Sequence, residues 1–402
     1  MKNLCIIGNG IIGMMSSLLL EKYFNNIYLI VDKESNKKSN KTQRYFSINL
    51  LSKYMFLKTD IWQDLISNGT KSYNKIVTWD EDIREDLIFQ SSSISYDNLG
   101  YIISESKIKD LLINKIDQAT KIKKIDIKDI GKIDIYDEIT KLRLNSEEII
   151  NCDLLLNSDI KISQFLEVKL PDKTIVDYEQ KALVMNLNMS SAVTSNTAYQ
   201  RFSKGHIQGL LPISDDMYNL IWSAENPFID DLKLKNPKMI LEILNGNLSR
   251  YIGKIKTLSS FATFPLSGFH VKKYFYKSAA VIGGVAHSVH PMAGLGLNMG
   301  IQDIFLLNQA LLENNGNSKD MDFILSTYDV YCSYENSKIF NTINFLKKFY
   351  SKNALPSTVK SSSISLFNRN NFIKNKVIEN ATGIDVLKRR SRDQYCYPNY
   401  NE

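Results

Sequence analysis

The sequence predicts an α/β chain, α+β in its middle, that opens as a Rossmann-like nucleotide fold and ends in helices. Three observations predict it. A strand–turn–helix–strand pattern with a glycine fingerprint fills the first 35 or so residues. Two blocks of short apolar runs follow, over 122–157 and 173–265. Beyond Asp320 the apolar positions recur at helical spacing. A chain of 402 residues is long enough for roughly two or three hydrophobic cores.

The first element is the apolar run Leu4 to Ile7, which leads into Gly8-Asn9-Gly10-Ile11-Ile12-Gly13. An apolar helix with Met14, Met15, Leu18, Leu19 and Leu20 follows, then a strand from Ile27 to Val31 that ends in Asp32. Each part has a physical task. Gly8 permits the tight turn, Gly10 permits close approach of a pyrophosphate, and Gly13 lets the helix pack on the strand. Asp32 is placed to accept hydrogen bonds from ribose hydroxyls. Ile11, Ile12 and Lys33 stand beside these groups and join the candidate cofactor contacts.

Residues 45–67 read as helical and contain Trp62. Ile76 to Phe89 is strand-like, and a short strand at Leu99 to Ile103 leads into a helix near Lys107 to Ile116. A meander is predicted from Ile125–Ile127, Ile133–Tyr136, Leu142–Leu144 and Ile149–Leu156. The second β-rich block includes Ala182–Leu187, Leu210–Ile213 and Leu220–Trp222, with a helix near Pro237 to Arg250. Breaks are expected at Pro356 and the serine run Ser361–Ser363, and disorder in the final dozen residues.

A second small-residue segment stands near residue 280. The strand Ala279 to Ile282 enters a turn with His287, His290 and Pro291, and a glycine ladder (Gly294, Gly296, Gly300) opens a helix that holds Asn298. Small residues at a strand-to-helix junction let a flat or anionic ligand lie against backbone N–H groups, where the helix dipole favours negative charge. Taken with the N-terminal fingerprint, this points to one long cofactor held at both ends. His287 reads as a packed or turn-capping histidine rather than a base.

Composition excludes several classes. No stretch nears the roughly 18 apolar residues of a membrane span. Lys2 before an apolar run imitates a signal peptide, but there is no small-residue cleavage site and a β–acid element follows. Cys5, Cys152, Cys332 and Cys396 lack metal or CxxC spacing, so disulfides and metal sites are not expected and a reducing cytoplasm fits. The net charge of +7 is spread over the chain apart from Lys37, Lys38 and Lys41 and the run Lys388, Arg389, Arg390. It reads as a solvated surface, with attraction to anionic lipid as the second reading; no nucleic-acid motif accompanies it.

The chain resembles the FAD-dependent aromatic hydroxylases of the para-hydroxybenzoate hydroxylase group, over nearly its whole length, and looks most like their ubiquinone-biosynthesis branch. The likeness rests on the fingerprint, Arg44 with Ser47 ahead of Trp62, and Leu99-Gly100-Tyr101. It continues through Asp153-Leu154-Leu155 to Asp159, Tyr178-x-Gln180-x-Ala182, and Arg201-Phe202 before Leu210-Leu211-Pro212. Phe264-Pro265-Leu266, His287 to Gly300, and Ala381-Thr382-Gly383 complete it.

The resemblance implies a Rossmann-like FAD domain (1–70, 96–172 and 266–330) interleaved with a β-sheet substrate domain (71–95 and 173–265). C-terminal helices (331–386) and a flexible tail (387–402) would follow. Gly8 to Gly13 and Asp32 would hold the ADP half of FAD. Arg44 would lie along the extended cofactor, Asp159 near the pyrophosphate, and Gly284 by the ribityl chain. Pro291 and the backbone of Gly294, Leu295, Gly296, Leu297 and Asn298 would hold the flavin ring. The implied reaction is hydroxylation of a polyprenylated phenol in ubiquinone biosynthesis, with NAD(P)H as co-substrate and O2 as oxidant. Such chemistry resides mostly in the cofactor, so no catalytic acid–base pair is assigned. The protein would be cytoplasmic and peripheral on the inner membrane, beside other ubiquinone-biosynthesis proteins. Ile339, Ile343, Phe345, Leu346 and Phe349 with Lys347, Lys348 and Lys352 suit a surface helix, or one packed on the FAD domain.

The chain departs from the family at four places. Gly283-Gly284 replaces Gly-Asp, Asp159-Ile160 replaces Asp-Gly, Leu166 stands for an arginine, and Leu295 stands for a glutamine. One lost charged hydrogen bond costs about 1.5–3 kcal/mol, roughly 10- to 150-fold in affinity. Two further readings therefore stay open: another FAD oxidoreductase on the same scaffold, or a flavin-poor partner in a biosynthetic complex. A flavin halogenase is disfavoured because Trp62, Trp79 and Trp222 stand far apart.

Overall fold

A computed structural model of the chain describes residues 3–34, 43–67, 69–83, 85–192, 196–314, 321–351 and 355–391. Lys2, the lysines at 37, 38 and 41, Lys352, Cys396 and the tail from 392 onward lie outside the described residues.

A six-stranded sheet organises the first half. Its order is Phe275–Tyr276, Ala279–Val281, Leu154–Asn157, Asn3–Ile7, Asn26–Val31, Ile122–Asp126. All pairings are parallel except that of the short edge strand Phe275–Tyr276. Leu4, Cys5, Ile6 and Ile7 are all fully buried, as a parallel strand covered on both faces requires. Chain order reverses at Asn3–Ile7, because later strands add first on one side and then on the other. A ligand crevice is expected at the carboxyl ends of strands flanking such a switch point. Gly8, Asp32, Asp159 and Gly283 all stand just beyond those ends.

The second sheet has nine strands. Its hub is Lys173–Met189, paired with Ala262–Val271 on one side and Met217–Glu225 on the other. Along Met217–Glu225 the side chains alternate. Leu220 and Trp222 meet the helices Asn226–Leu234 and Pro237–Ile252, while Ile221 and Ser223 line a cavity. Asn236 caps the second helix by accepting from the Met239 N–H, and Pro237 takes the first helical position, where no N–H is needed. A smaller sheet (Tyr45–Asn49, Gly100–Ser104, Lys71–Tyr73) joins the two.

Several expectations need correction. Residues 45–49 form a strand, not a helix; β-branched and aromatic side chains pair with Gly100–Ser104 before the helix Leu50–Leu57 starts at its Asn49 cap. The run Ile149–Leu156 is two strands in different sheets, broken at Asp153. Ser361–Ser363 does not break its helix, which runs Ser357–Arg369; the Ser363 hydroxyl is satisfied by the Val359 carbonyl. The boundary at 265/266 falls inside the strand Ala262–Val271, and that at 330/331 inside the helix Met321–Phe349. Residues 387–390 belong to the helix Ile384–Arg390, held by buried Leu387 and by ion pairs from Lys388 to Glu379 and Arg389 to Glu335.

Candidate active site

The fingerprint turn is set by backbone proximity. Gly8 has φ +113°, and a Cβ there would lie 2.7 Å from the Asp159 Cβ. A Cβ on Gly13 would lie 2.0 Å from the Gly8 carbonyl oxygen, so the helix Ile11–Leu20 packs on the turn only through glycine. Gly10 differs. A Cβ there would meet nothing within 4 Å, so the protein's own packing does not require glycine; the space lies open at the helix N-terminus. Asn157, buried at the end of its strand, turns to the other face of the sheet, where its Oδ1 accepts from the Ser163 hydroxyl (2.7 Å) and the Asp159 N–H (3.3 Å). The open space at Gly10, at a positive helix end, is what a pyrophosphate needs.

The second glycine segment closes on the first. Gly283 (φ +61°) and Gly300 both face Ile12, with a Cβ on Gly300 only 2.8 Å from its Cδ1. The fingerprint helix, the 279–285 turn and the helix Gly296–Glu313 therefore interlock at one isoleucine. Beneath them lies a buried polar cluster. Asp303 Oδ2 accepts from the Gly283 N–H (2.9 Å) and from His287 Nε2 (2.7 Å). Its Oδ1 accepts from Asn336 Nδ2 (2.7 Å) and the Cys332 thiol (3.7 Å). His287 is thus a packed histidine bracing the turn.

The loop from His290 to Leu295 is pinned from two sides. His290 is fully buried; its Nδ1 accepts from the Met292 N–H (3.2 Å) and its Nε2 donates to Gln180 Oε1 (3.1 Å). Burial, aided by the Lys347 ammonium, pushes its pKa down to about 3, so the ring is neutral. The Gln180 side chain in turn donates to the Gly205 carbonyl (3.0 Å). On the other side, Asn298 Oδ1 accepts from the Asn49 N–H (3.0 Å) and the Ser52 hydroxyl (2.8 Å). Its Nδ2 donates to the carbonyls of Ser47 (2.8 Å) and Gly294 (3.1 Å). The Asn298 side chain is spent on bracing, which leaves only its backbone for a ligand.

Against this loop lies a cavity of about 200 Å³. One wall is Pro291, Gly294, Leu295 and Asn298; the opposite wall is strand side chains including Ile76, Phe89, Tyr199 and Ile221. Ala381 and Thr382 of the helix Asn371–Thr382 form a third side. The lining is mostly apolar. Among the buried polar residues that line it (Asn49, Thr78, Ser223, Asn298 and Thr382 are others), Ser47 Oγ and Tyr73 OH form a hydroxyl pair 2.7 Å apart. Burial pushes the Tyr73 phenol up in pKa, so it stays protonated.

Other predicted residues fall as follows. Asp32 accepts from the Glu34 N–H (2.9 Å), and Lys33 pairs with Asp126 (3.6 Å). Arg44 is exposed and pairs with Glu105 (3.6 Å). Asp159 caps its own short helix through the N–H groups of Lys161 and Ile162, while its Cβ backs the fingerprint turn. Gly284 is exposed, with open space around it, and so is Gly296; Leu297 is half-buried. Ile11 is buried in the main core. Sequence reasoning missed Asp303 and Tyr73. Asp303 lies one helical turn and more beyond Asn298 with no motif to single it out. Tyr73 is one of 21 tyrosines.

Comparison with known proteins agrees with this geometry. A family model described as an FAD binding domain matches residues 179–336. The mitochondrial ubiquinone biosynthesis monooxygenase COQ6 of Caenorhabditis elegans is 24% identical over 366 residues, 80% of this chain and 80% of that protein. Its human counterpart is 24% identical, covering 81% and 78%. The 3-demethoxyubiquinol 3-hydroxylase of Escherichia coli (strain K12) is 21% identical, covering 83% and 84%. Among solved structures, Pseudomonas aeruginosa PqsL in complex with 2-aminobenzoylacetate has a TM-score of 0.73 at 16% identity, covering 90% of this chain and 98% of that one. The p-nitrophenol 4-monooxygenase PnpA of Pseudomonas putida DLL-E4 also reaches 0.73, at 11% identity, covering 98% and 100%.

Proposed function

We infer, for a chain that belongs to the FAD-dependent aromatic hydroxylases, that it hydroxylates the ring of a polyprenylated phenol on the route to ubiquinone. The observation that carries this reading is the cavity itself. It is apolar, holds one buried hydroxyl pair, and is walled on one side by the loop assigned to the flavin ring.

When bound, FAD supplies the redox chemistry: reduced by NAD(P)H, it activates O2 so that one oxygen atom enters the ring and the other leaves as water. The chain's residues supply the rest. The open backbone at Gly10 and the N-terminus of the helix Ile11–Leu20 would hold the pyrophosphate, and Asp32 the ribose. The N–H groups at the start of the helix Gly296–Glu313 would stabilise negative charge on a flavin ring held there. Gln180 and His290 on one side and Asn298 on the other hold that loop still. The Ser47–Tyr73 pair orients the phenol oxygen, and the apolar walls exclude water from the reacting ring.

Among the described residues no helix is long and apolar enough to cross a membrane. A bilayer-borne substrate therefore implies peripheral contact, at the cytoplasmic face of the inner membrane and beside other ubiquinone-biosynthesis proteins. The helix that carries Ile339 to Phe349 is packed: Ile343 is buried, and Ile339, Leu346 and Phe349 lie against the core cluster it belongs to, so of the five only Phe345 is strongly exposed.

The test is hydroxylated product formed with NAD(P)H and O2 from a prenylated phenol, together with a deletion strain of the source organism. A precursor lacking one ring hydroxyl is expected to accumulate. Unchanged ubiquinone with no such precursor, and no second hydroxylase present, would overturn the reading. A purified protein that is colourless and takes up no FAD would favour the non-catalytic partner instead.

A further inference from the structure

The floor of the cavity has a notch. The strand His206–Ser214 lies between Thr197–Ser203 and Met217–Glu225 in the nine-stranded sheet, and its side chains alternate between two faces. Ile207, Gly209 and Leu211 line the cavity, so a residue without a side chain stands between two branched ones. The pairing sets Gly209 opposite Gln200 on one side and Ile221 on the other, and both of these also line the cavity. Pro291, Met292 and Ala293 face this floor from the opposite wall. The cavity is about 200 Å³, below the roughly 300–1,000 Å³ of sites that enclose a drug-sized ligand, so one side chain decides what fits.

Nothing in the protein's own packing asks for glycine at 209. It has no positive φ. A Cβ there would meet only the Ile221 carbonyl oxygen, at 3.9 Å, an ordinary contact. No atom of the opposite wall lies within 4 Å of that Cβ, so glycine is not needed for the wall's approach. Glycine in the interior of a central strand weakens the strand and gives it nothing to pack. What it supplies here is space. Gln200 supplies a polar group beside that space. Its half-buried side-chain amide has no hydrogen-bond partner among the described residues, whereas Thr78, level with it on the next strand, donates to the Leu87 carbonyl (3.3 Å). An amide offers both a donor and an acceptor. The Ser47–Tyr73 pair belongs to the smaller sheet and Gln200 to the larger, so the two polar stations address different positions on a bound ring.

We propose that the Gly209 notch receives a substituent of the substrate's ring and that the Gln200 amide hydrogen-bonds its oxygen. Together the two residues make the cavity selective for a phenol ring that already carries a second oxygen substituent. This selectivity rests on the prenylated-phenol reading and narrows it.

The test is titration calorimetry on the FAD-loaded protein with a short-chain prenylated phenol, its methoxy isomers and the matching ethyl isomers, compared at the isomer that binds best. Methoxy and ethyl fill similar space, and only the first offers an oxygen. The wild type should prefer methoxy over ethyl by about 3- to 10-fold, the worth of one neutral hydrogen bond. Gln200→Leu should bring that ratio close to one while leaving the ethyl compound's affinity unchanged. Gly209→Val should weaken binding of both substituted rings by ~10-fold or more and spare the unsubstituted one. Gly209→Ala adds only the methyl that the structure shows to fit, so its unfolding midpoint should equal or exceed that of the wild type. A lower midpoint would mean that the strand itself needs the glycine, and would overturn the proposal. Loss of flavin from Gly209→Val would also overturn it, by placing the cofactor over the notch. So would an unchanged methoxy-to-ethyl ratio in Gln200→Leu; the functional reading stands in each of these cases if a prenylated phenol is still hydroxylated by the wild type. No binding or turnover of any prenylated phenol by the wild type would overturn that reading, and the selectivity with it.

Discussion

Where the fingerprint turn meets the helix Gly296–Glu313, the decisive contacts are made by backbone. Gly13 lies against the Gly8 carbonyl, and Gly283 and Gly300 grip Ile12. Across the cavity, in the nine-stranded sheet and the smaller sheet beside it, the decisive contacts are made by side chains. Tyr73, Phe89, Tyr199 and Ile221 come together from four distant strands. The first region can bind a cofactor whose shape never varies. The second can be re-lined residue by residue for a different ring, which is how one scaffold serves several substrates. The difference also sets how each side should fail when changed.

The largest effect should separate two glycines three residues apart. In Gly13→Val the new Cβ would fall 2.0 Å from a carbonyl oxygen, which no rotamer relieves. Destabilisation above ~4 kcal/mol is expected, with little soluble folded protein. In Gly10→Val the Cβ enters open space. That variant should unfold near the wild-type midpoint and yet carry almost no flavin. Thermal unfolding and flavin absorbance per chain check both. A Gly10→Val protein that keeps its flavin would break the contrast, because the open space would then not face the cofactor.

A pH experiment sharpens it next. His290 pins the loop that runs to Leu295, and its folded pKa of about 3 lies below its ordinary 6.5. Between these values the unfolded chain binds the proton and the folded chain does not, so stability falls as pH drops from 6.5 towards 3. The full stabilisation is present above pH 6.5. The slope approaches about 1.4 kcal/mol per pH unit. His290→Gln should remove that slope from denaturation curves at pH 6.5, 5.5 and 5 while leaving the slopes of other groups in place. Parallel curves for the two proteins would mean that His290 takes up its proton while folded.

On the side-chain wall, Tyr73→Phe should cost only about 0.5–1.5 kcal/mol of stability, because Ser47 loses one neutral partner. Its effect on turnover should be larger in KM than in kcat. About 10-fold weaker binding of a phenol is expected, with binding of FAD untouched. A loss of flavin in this variant would show that the two walls are not separable.

The same contrast explains what could be read from the sequence. Gly8, Gly13 and Gly300 are legible because a close approach leaves glycine at fixed spacing, and the strands that frame them are legible as apolar runs. Tyr73 and the hydroxyl pair were not, because Ser47 and Tyr73 meet only after two strands pair through Gly100–Ser104. Residues 45–49 were read as helix because five residues ahead of a true helix carry too little periodicity to tell apart. Asp303 was invisible for another reason: a buried aspartate looks like a surface one until its three or four donors are in place.

The smallest expected effect tests a position where the sequence departs from its relatives' pattern. Gly284 stands where the resemblance to the aromatic hydroxylases implies an aspartate, and glycine there invites the reading that this chain holds FAD poorly. The structure makes the experiment clean. Gly284 is exposed, no atom lies within 4 Å of where a Cβ would sit, and the strained positive φ belongs to its neighbour Gly283. Gly284→Asp should therefore leave stability within about 0.5 kcal/mol of wild type. A carboxylate there can accept a hydrogen bond from a ribityl hydroxyl, so FAD should bind up to ~10-fold more tightly by fluorescence titration. Unchanged or weaker affinity would show that the interlock of Gly283, Ile12 and Gly300 already sets the cofactor's path without that bond. The cofactor side would then be even more completely a backbone device than the comparison claims.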